Sequence, residues 1–201
     1  MTAQLSVRDA AGLARTGDLF LFRGTSAADK VIRTVTNAPV NHVGMAIVLD
    51  DLPPLMWHAE LSQGLLCVWC GHHHRGVQLH DLEAACVQWM GKYAQRGWMR
   101  QLSPAVGRDR EDAALTVVAR MDGLAFPSTV GLVRRWIAGR ARTKASAAQV
   151  YCAEVVAETY ATMGLFEEAR PMNWYDPGRF WSGDELDLAD GFLLGDEVEL
   201  V

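Results

Sequence analysis

The chain has 201 residues, of which 50% are hydrophobic and 8% aromatic. This is enough apolar material for a complete core, and it excludes a disordered or fibrous protein. The 19 basic and 24 acidic side chains give a formal net charge of −5, which argues against a general nucleic-acid binder. We therefore expect one ordered domain over residues 1–201 that mixes helices and strands.

Hydrophobic segments and cysteines bear on the compartment. No apolar run approaches the roughly 20 residues that cross a bilayer, and the first 18 residues have no signal-type segment. The expectation is a cytoplasmic protein without a transmembrane segment, with peripheral contact to a membrane left open. The four cysteines are unevenly spaced, which favours free thiols or ligands over a disulfide framework.

The first half of the chain is typical of strands with short helices between them. Ser6 with Asp9 and Ser26 with Asp29 resemble capping boxes, so a short helix is predicted after each serine. Alternating or continuous apolar runs predict strands in a mostly antiparallel meander. These strands cover residues 18–23, 43–49, 55–60, 64–69, 76–80 and 98–102.

The second half is predicted to be helical over 110–121, over 128–138 and from Cys152 onwards. After Cys152 the apolar residues recur at helical spacing and Gly164 supplies a stop. Cys152 therefore falls in the first turn, where unpaired backbone amides and the helix dipole lower the pKa of a thiol. The pattern predicts a nucleophilic cysteine that rests as a thiolate.

A histidine at the head of a buried strand is the candidate base for this cysteine. His42 precedes the run over 43–49, so its ring can be fixed while its nitrogens reach a cleft. On the next strand His58 and Glu60 share a face by period-two alternation. We prefer Glu60 as the group that orients His42, because a carboxylate also raises the pKa of the imidazole. His58 is the alternative.

At this point the sequence resembles a known family. GDLFLFRG, NHVGMAIV, the strand that bears Glu60, and YCAEVVAETYATMGL occur in an order similar to the circularly permuted, YaeF/YiiX-like branch of the NlpC-type papain-like cysteine hydrolases, which is related to lecithin-retinol acyltransferase. The resemblance spans roughly residues 12 to 165. It implies a permuted papain-like α+β fold, with an antiparallel β-sheet or barrel core packed against helices and the nucleophile at a helix N-terminus.

The resemblance also implies roles for individual residues. Cys152 would be the nucleophile, His42 the base and Glu60 the orienting group, and no cofactor would be required. Tyr151 and Asp18 would contribute to substrate binding, although Asp18 also suits a turn. Ala153 departs from the serine that often follows the cysteine in this family, which affects substrate preference more than the core chemistry.

A second motif suggests metal instead. Cys67 and Cys70 are followed by the histidine tract 72–74, and thiolates with imidazoles suit zinc. The only later ligands we identify are His80 and Cys86, and a strand over 64–69 would point the two sulfurs to opposite faces. A histidine-rich surface loop is therefore the preferred interpretation, and no metal is assigned.

These features predict a cysteine-dependent amidase or peptidase that cleaves a small peptide or amide through a thioester. The alternative is a lipid acyl hydrolase or acyltransferase, favoured by a basic stretch beside an apolar stripe. A zinc-stabilised binding module is a third hypothesis, from a different class. The basic stretch contains Arg134, Arg135, Arg140, Arg142 and Lys144, and the stripe contains Val130, Val133, Trp136 and Ile137.

Overall fold

The computed structural model describes residues 4–127, 129–141, 149–168, 170–182 and 186–201. Its α-helices are α1 (Val7–Leu13), α2 (Ala27–Thr36), α3 (Leu82–Val87), α4 (Arg108–Met121), α5 (Thr129–Arg140) and α6 (Cys152–Thr162). Its strands are β1 (Gln4–Leu5), β2 (Leu19–Arg23), β3 (His42–Ile47), β4 (Leu55–Glu60), β5 (Gly76–Asp81), β6 (Arg96–Arg100), β7 (Leu102–Ser103), β8 (Leu193–Leu194) and β9 (Val198–Leu200). A π-helical turn, Gln88–Lys92, continues α3, and two 3₁₀ turns, Met172–Trp174 and Pro177–Phe180, follow α6.

Seven strands of the described chain form one mixed sheet in the order β1-β9-β6-β2-β3-β4-β5. Strands β2 to β5 are antiparallel neighbours in sequence order, which confirms an antiparallel meander but without the predicted strand between β4 and β5. Only β1 and β9, among the pairs described, run parallel. The protein therefore has a mixed α+β architecture built on a largely antiparallel sheet.

The sheet separates two hydrophobic layers, because successive side chains of a strand point to opposite faces. Leu19, Leu21 and Val43 face α4 and α6 in the larger layer. Phe20 and Phe22 face α1, α3 and the π-helical turn in the smaller one. His42 belongs to this second face by alternation, whereas the helix that begins at Cys152 packs on the first.

Both serines cap a helix as predicted, and Ser26 with Asp29 forms a complete capping box. The Ser6 hydroxyl accepts from the Asp9 amide at 3.1 Å, and the Ser26 hydroxyl accepts from the Asp29 amide at 3.2 Å. Each serine satisfies an amide that the first helical turn leaves unpaired, which starts α1 and α2 where the sequence predicts.

The predicted strand over 64–69 is wrong. These residues form bends and a turn, and their main link to the sheet is the Val68 amide, which donates to the Leu79 carbonyl at 2.7 Å. Gly71 follows with a φ of +74°, a left-handed conformation that ends any extension of the chain. Consequently the whole segment between β4 and β5 is a loop.

No helix within the described ranges is long and apolar enough to cross a membrane. Of the basic stretch, Arg142 and Lys144 lie outside the described residues, as does Ser128 at the predicted start of α5.

Candidate functional site

Cys152 is the first residue of α6, as the sequence predicts. Tyr151 before it is extended, with φ −113° and ψ 171°, so the helix begins abruptly at the cysteine. The sulfur lies beside the backbone amides of Val43, Ala153 and Cys152 itself, which lower the pKa of the thiol. Such amides suit the stabilisation of negative charge on sulfur or on a substrate oxygen.

A buried ion pair fixes the start of α6. Glu154 accepts from the Tyr151 amide at 3.1 Å, which completes one half of a capping box. The same carboxylate accepts hydrogen bonds from two nitrogens of Arg135 on α5, at 2.9 to 3.1 Å. The first turn of the cysteine helix is thereby tied to α5.

His42 is held by a chain of buried imidazoles. Its Nε2 lies 3.0 Å from His58 Nδ1, and His58 Nε2 lies 3.0 Å from His80 Nδ1. His80 Nε2 then lies 3.0 Å from the Oε1 of Gln78. The Trp89 ring stacks on His42 at a centroid distance of 3.8 Å and fixes the plane of its ring.

Gln78 determines the direction of this chain, that is, which ring nitrogen of each histidine donates and which accepts. Its Nε2 donates to the carbonyls of Ser62 and Gly76, so its Oε1 must face His80 and accept from it. His80 then accepts from His58 at Nδ1, and His58 accepts from His42 Nε2–H in the same way. The Nδ1 of His42 is thus left without a proton, and no group among the described residues hydrogen-bonds to it.

The position that we expected for Glu60 beside His42 is occupied by His58. Glu60 shares the face of the sheet with His58, as predicted, but its Oε1 lies 3.9 Å from His80 Nδ1 and accepts from Gln88 at 3.3 Å. Its Oε2 is buried without a hydrogen-bond partner among the described residues. Burial raises the pKa of Glu60 to about 7, against the lowering effects of Gln88 and Lys92. Since it is half-protonated at neutral pH, it gives His42 little electrostatic support.

Burial also sets the resting state of the cysteine and the histidines. It raises the pKa of the Cys152 thiol to about 12, although the neighbouring amides oppose the rise. It lowers the pKa of His42 to about 3, that of His80 to about 4, and that of His58 well below its ordinary value of 6.5. The pKa values therefore favour a resting thiol and a neutral imidazole over the expected thiolate, because burial of the sulfur outweighs the effect of the neighbouring amides.

An open cleft of about 1320 Å³ is lined by both members of the predicted pair. His42, Cys152, Tyr151 and Glu60 all contribute to its lining. Asp18 does not. Its carboxylate is buried at the opposite end of β2 from His42, where it accepts from the amides of Leu102 and Arg15 at 2.7 and 2.8 Å. It therefore has the turn-fixing position that the sequence offered as the alternative to substrate binding.

Tyr151 is almost entirely buried, and its hydroxyl donates to the Tyr175 carbonyl. Tyr151 consequently contributes only one edge of its side chain to the cleft, because its hydroxyl is already hydrogen-bonded to Tyr175.

Sequence reasoning missed Gln78, His80 and Trp89. The first two alternate on the predicted strand 76–80 just as His58 and Glu60 do on theirs, so period-two alternation of polar residues on both strands was the available signal. Nothing in the sequence placed Trp89, which reaches His42 from the π-helical turn.

Two groups of side chains could hold a metal ion within the described chain. One is the group of His58, Glu60 and His80. In this group the two imidazoles are already joined to each other by the hydrogen bond given above. The other comprises Cys67, Cys70, His74 and Asp122.

Two arginines of the basic stretch form ion pairs within the protein. Arg135 pairs with Glu154, and Arg140 lies 2.6 Å from Asp176. Arg134 is exposed on α5.

Comparison with known proteins gives one structural neighbour of interest. No family model matches the chain, and no curated protein matches it by sequence. The crystal structure of YiiX from Escherichia coli O157:H7, described there as a metalloprotein, is similar at a TM-score of 0.49 and 18% sequence identity. The similarity covers 75% of this chain and 66% of YiiX, so it spans slightly less than two thirds of that protein. YiiX is a protein of the YaeF/YiiX group.

Proposed function

We propose that the protein is a cysteine-dependent hydrolase that cleaves a small peptide or amide through a thioester. The observation that supports this proposal is that one cleft is lined both by a cysteine at a helix N-terminus and by a histidine whose Nδ1 has no proton. His58 replaces Glu60 as the group that orients this histidine.

The thiol proton moves to His42 Nδ1 as the Cys152 sulfur attacks the carbonyl carbon of the substrate. The imidazolium then gives that proton to the leaving amine, and the acyl group remains on sulfur. His42 next removes a proton from water, which attacks the thioester and releases the acid and the free thiol. Because the resting pair is neutral, proton transfer accompanies bond formation and does not precede it.

The backbone supplies the stabilisation of developing charge. The amide of Cys152 lies at the start of α6, where the helix leaves it unpaired. An oxyanion at this position receives a hydrogen bond and the positive end of the helix dipole, and the loss of one such donor typically costs 100- to 1000-fold in rate, or about 3 to 4 kcal/mol.

Exposed amide side chains in the cleft favour a peptide or amide as substrate. Gln63 and Gln149 both line the cleft and are exposed. Each side-chain amide offers an acceptor and donors, which match the N–H and C=O of a peptide group.

A lipid acyl hydrolase or acyltransferase with the same residues is the second candidate. Its support is the loop after β4, where Leu61 lines the cleft and is 61% exposed, and where Leu66 and Trp69 are also exposed. Exposed apolar side chains beside a cleft are suited to contact with acyl chains. Liposome flotation of the wild type and of Leu61→Ser separates the two candidates, because only a lipid enzyme should float and lose flotation on this change.

The proposal is tested with dipeptide p-nitroanilides and p-nitrophenyl acyl esters. Cys152→Ala and His42→Ala should each abolish turnover, and the double variant should be no worse than either single variant, because the two residues act as a unit. His58→Gln should lower kcat/KM roughly 10- to 1000-fold through the loss of an oriented contact, whereas Glu60→Gln should be milder. Intact mass spectrometry should detect an acyl adduct on Cys152.

Cys86→Ala is the matched control, since Cys86 is also a buried thiol but belongs to α3, on the other face of the sheet. It should retain turnover. Undiminished turnover in Cys152→Ala, or an acyl adduct on another cysteine, would remove the basis of the proposal. A larger loss in Glu60→Gln than in His58→Gln would restore Glu60 as the orienting residue.

A further inference from the structure

We propose that the loop between β4 and β5 holds a structural zinc ion through Cys67, Cys70, His74 and Asp122. This site is separate from the proposed catalytic cleft and goes beyond the hydrolase function. One potential ligand atom from each of the four residues lies within 4.8 Å of the other three. A tetrahedral ion with bonds of about 2.0 to 2.3 Å needs ligand atoms roughly 3.3 to 3.8 Å apart, so small side-chain movements close this set around zinc.

The loop backbone is shaped to present both sulfurs on one side. The Cys67 carbonyl accepts from the Gly71 amide at 2.9 Å, and the Cys67 amide donates to the His72 carbonyl at 3.1 Å. Gly71, with its φ of +74°, reverses the chain directly after Cys70. This tight turn removes the objection that a strand would separate the two sulfurs.

His74 is oriented as a ligand. Its Nδ1 lies 3.1 Å from the Arg75 carbonyl oxygen, so the ring proton is on Nδ1. Its Nε2 lone pair is buried, has no hydrogen-bond partner within the described chain, and lies 3.9 Å from Asp122 Oδ1. A histidine that donates one nitrogen to a carbonyl and turns the other to a cluster of thiols and carboxylate has the usual arrangement of a metal ligand.

Asp122 comes from a distant part of the chain and completes the set. It caps the C-terminus of α4, and its Oδ1 accepts from the Cys67 sulfur at 3.2 Å. Backbone hydrogen bonds from Gly123 to Val77 and from Val77 to Leu124, each 2.9 Å long, fasten this helix end to β5. The Leu79 amide also donates to the Cys67 sulfur at 3.5 Å, a contact that suits a metal-bound thiolate.

Two thiolates, an imidazole and a carboxylate form a donor set typical of zinc. On binding, each thiol releases its proton to solvent as its bond to zinc forms, so the four residues and the ion carry a net charge of −1. The ion would connect the β4–β5 loop to the end of α4.

The test uses the full chain purified without a histidine tag and reconstituted with zinc alone. After dialysis against a chelator, about one zinc ion per chain should remain by elemental analysis and native mass spectrometry. Cys70→Ser and His74→Gln should each weaken zinc retention roughly a hundredfold or more in chelator competition. Both positions are partly exposed, which avoids the folding risk at the fully buried Cys67.

Cobalt provides an independent readout, because a thiolate-to-cobalt charge-transfer band and strong visible bands report sulfur ligation in a tetrahedral site. The control variant is His72→Gln/His73→Gln, which removes two exposed neighbours of the site and should keep both the zinc and the cobalt spectrum. Cys152→Ala should also keep them. Zinc lost in the His72/His73 variant, cobalt without sulfur ligation, or a reconstituted wild type without retained zinc would each overturn the proposal.

Discussion

At the scale of single residues, the contact between His42 and His58 depends on a glycine. Strand β3 pairs with β4 with Met45 opposite Trp57, and this register places Gly44 opposite His58. A Cβ atom at Gly44 would lie 2.9 Å from Met56 Cγ and 3.4 Å from His58 Cβ, so no side chain fits there. The imidazole of His42 can therefore lean along the sheet towards His58.

The direction of the histidine chain is a testable property that needs no substrate. We expect ¹⁵N NMR of ring-labelled protein to show His42, His58 and His80 as neutral Nε2–H tautomers at pH 6, because burial lowers the pKa of each. Gln78→Leu should disturb this pattern, since it leaves the buried His80 Nε2–H without its acceptor. Gln78→Glu should keep the pattern but raise the histidine pKa values, and so move the acid limb of kcat/KM to higher pH.

The solvent-exposed His72 provides an internal comparison in the same spectra, because its ring signals should be unchanged by the Gln78 substitutions. An Nδ1–H tautomer for His42 in the wild type would contradict the direction that we assign to the chain.

Sequence reasoning could place Cys152 at the start of a helix and His42 at the head of a strand, but it could not identify the hydrogen-bond partner of His42. Alternation puts His58 and Glu60 on one face, but it does not predict which of them the His42 imidazole will contact. The preference for Glu60 assumed a charged carboxylate. Complete burial removes that assumption, and burial depth is a tertiary property that a strand pattern does not reveal.

At the scale of elements, α5 and α6 are joined through the pair of Arg135 and Glu154. Both side chains are largely excluded from solvent, at 11% and 0% exposure. Removing one member of a buried pair leaves the other charge without its principal partner, which costs more than the pair itself contributes.

We expect Glu154→Ala to lower the free energy of unfolding by about 3 kcal/mol or more, and Glu154→Gln to cost less because the amide oxygen can still accept from Tyr151. Glu158→Ala is the control one turn along α6, where Glu158 pairs with the 55%-exposed Arg120. A surface pair of this kind contributes at most about 1 kcal/mol. Urea denaturation measures all three variants, and equal losses in Glu154→Ala and Glu158→Ala would contradict this account.

Elements with strong local signals are predicted well, and those defined by tertiary contacts are not. The strand 55–60, the two serine caps and the start of α6 agree with their sequence patterns. Residues 64–69 contain enough apolar side chains for a strand but lack a neighbour to pair with along their length. The short helix α3 was missed, although Asp81 caps it by accepting from the Ala84 amide at 2.8 Å.

At the scale of the whole molecule, five buried groups set how stability depends on pH. His42, His58 and His80 have pKa values lowered by burial, so their contribution is complete above the unfolded value of 6.5 and is lost as the pH falls towards 4 and below. Burial raises the pKa of Glu60 and of Glu154 to about 7 from 4.5, so their contribution is complete below 4.5 and is lost as the pH rises through 7. Stability should therefore be greatest near pH 6.5.

Between pH 4.5 and 6.5 the three histidines take up protons on unfolding and the two carboxyls release them, which leaves a net uptake of about one proton. Glu60→Gln/Glu154→Gln should raise this slope to about three protons, roughly 4 kcal/mol per pH unit, and remove the decline above pH 7. Urea denaturation over pH 5 to 8 gives both slopes. An unchanged pH profile in the double variant would show that these carboxyls do not titrate as described.

Fold class and the meander β2 to β5 follow from the sequence, whereas the outer part of the sheet does not. Strands β1, β8 and β9 have two or three residues each, which is too few to show an alternating hydrophobic pattern in the sequence. Their pairing is decided by partners elsewhere in the chain.

The parallel pairing of β1 with β9 joins residues that are far apart in order of synthesis. Gln4 pairs with Glu199, 195 residues later, and β9 lies between β1 and β6 in the sheet. While the chain is being made on a ribosome, β1 and the exposed edge of β6 remain without their partner until residues 198–200 have emerged. The nascent protein therefore presents an open sheet edge from the emergence of β6 until that of β9, and this edge is where a chaperone or another nascent chain would bind first.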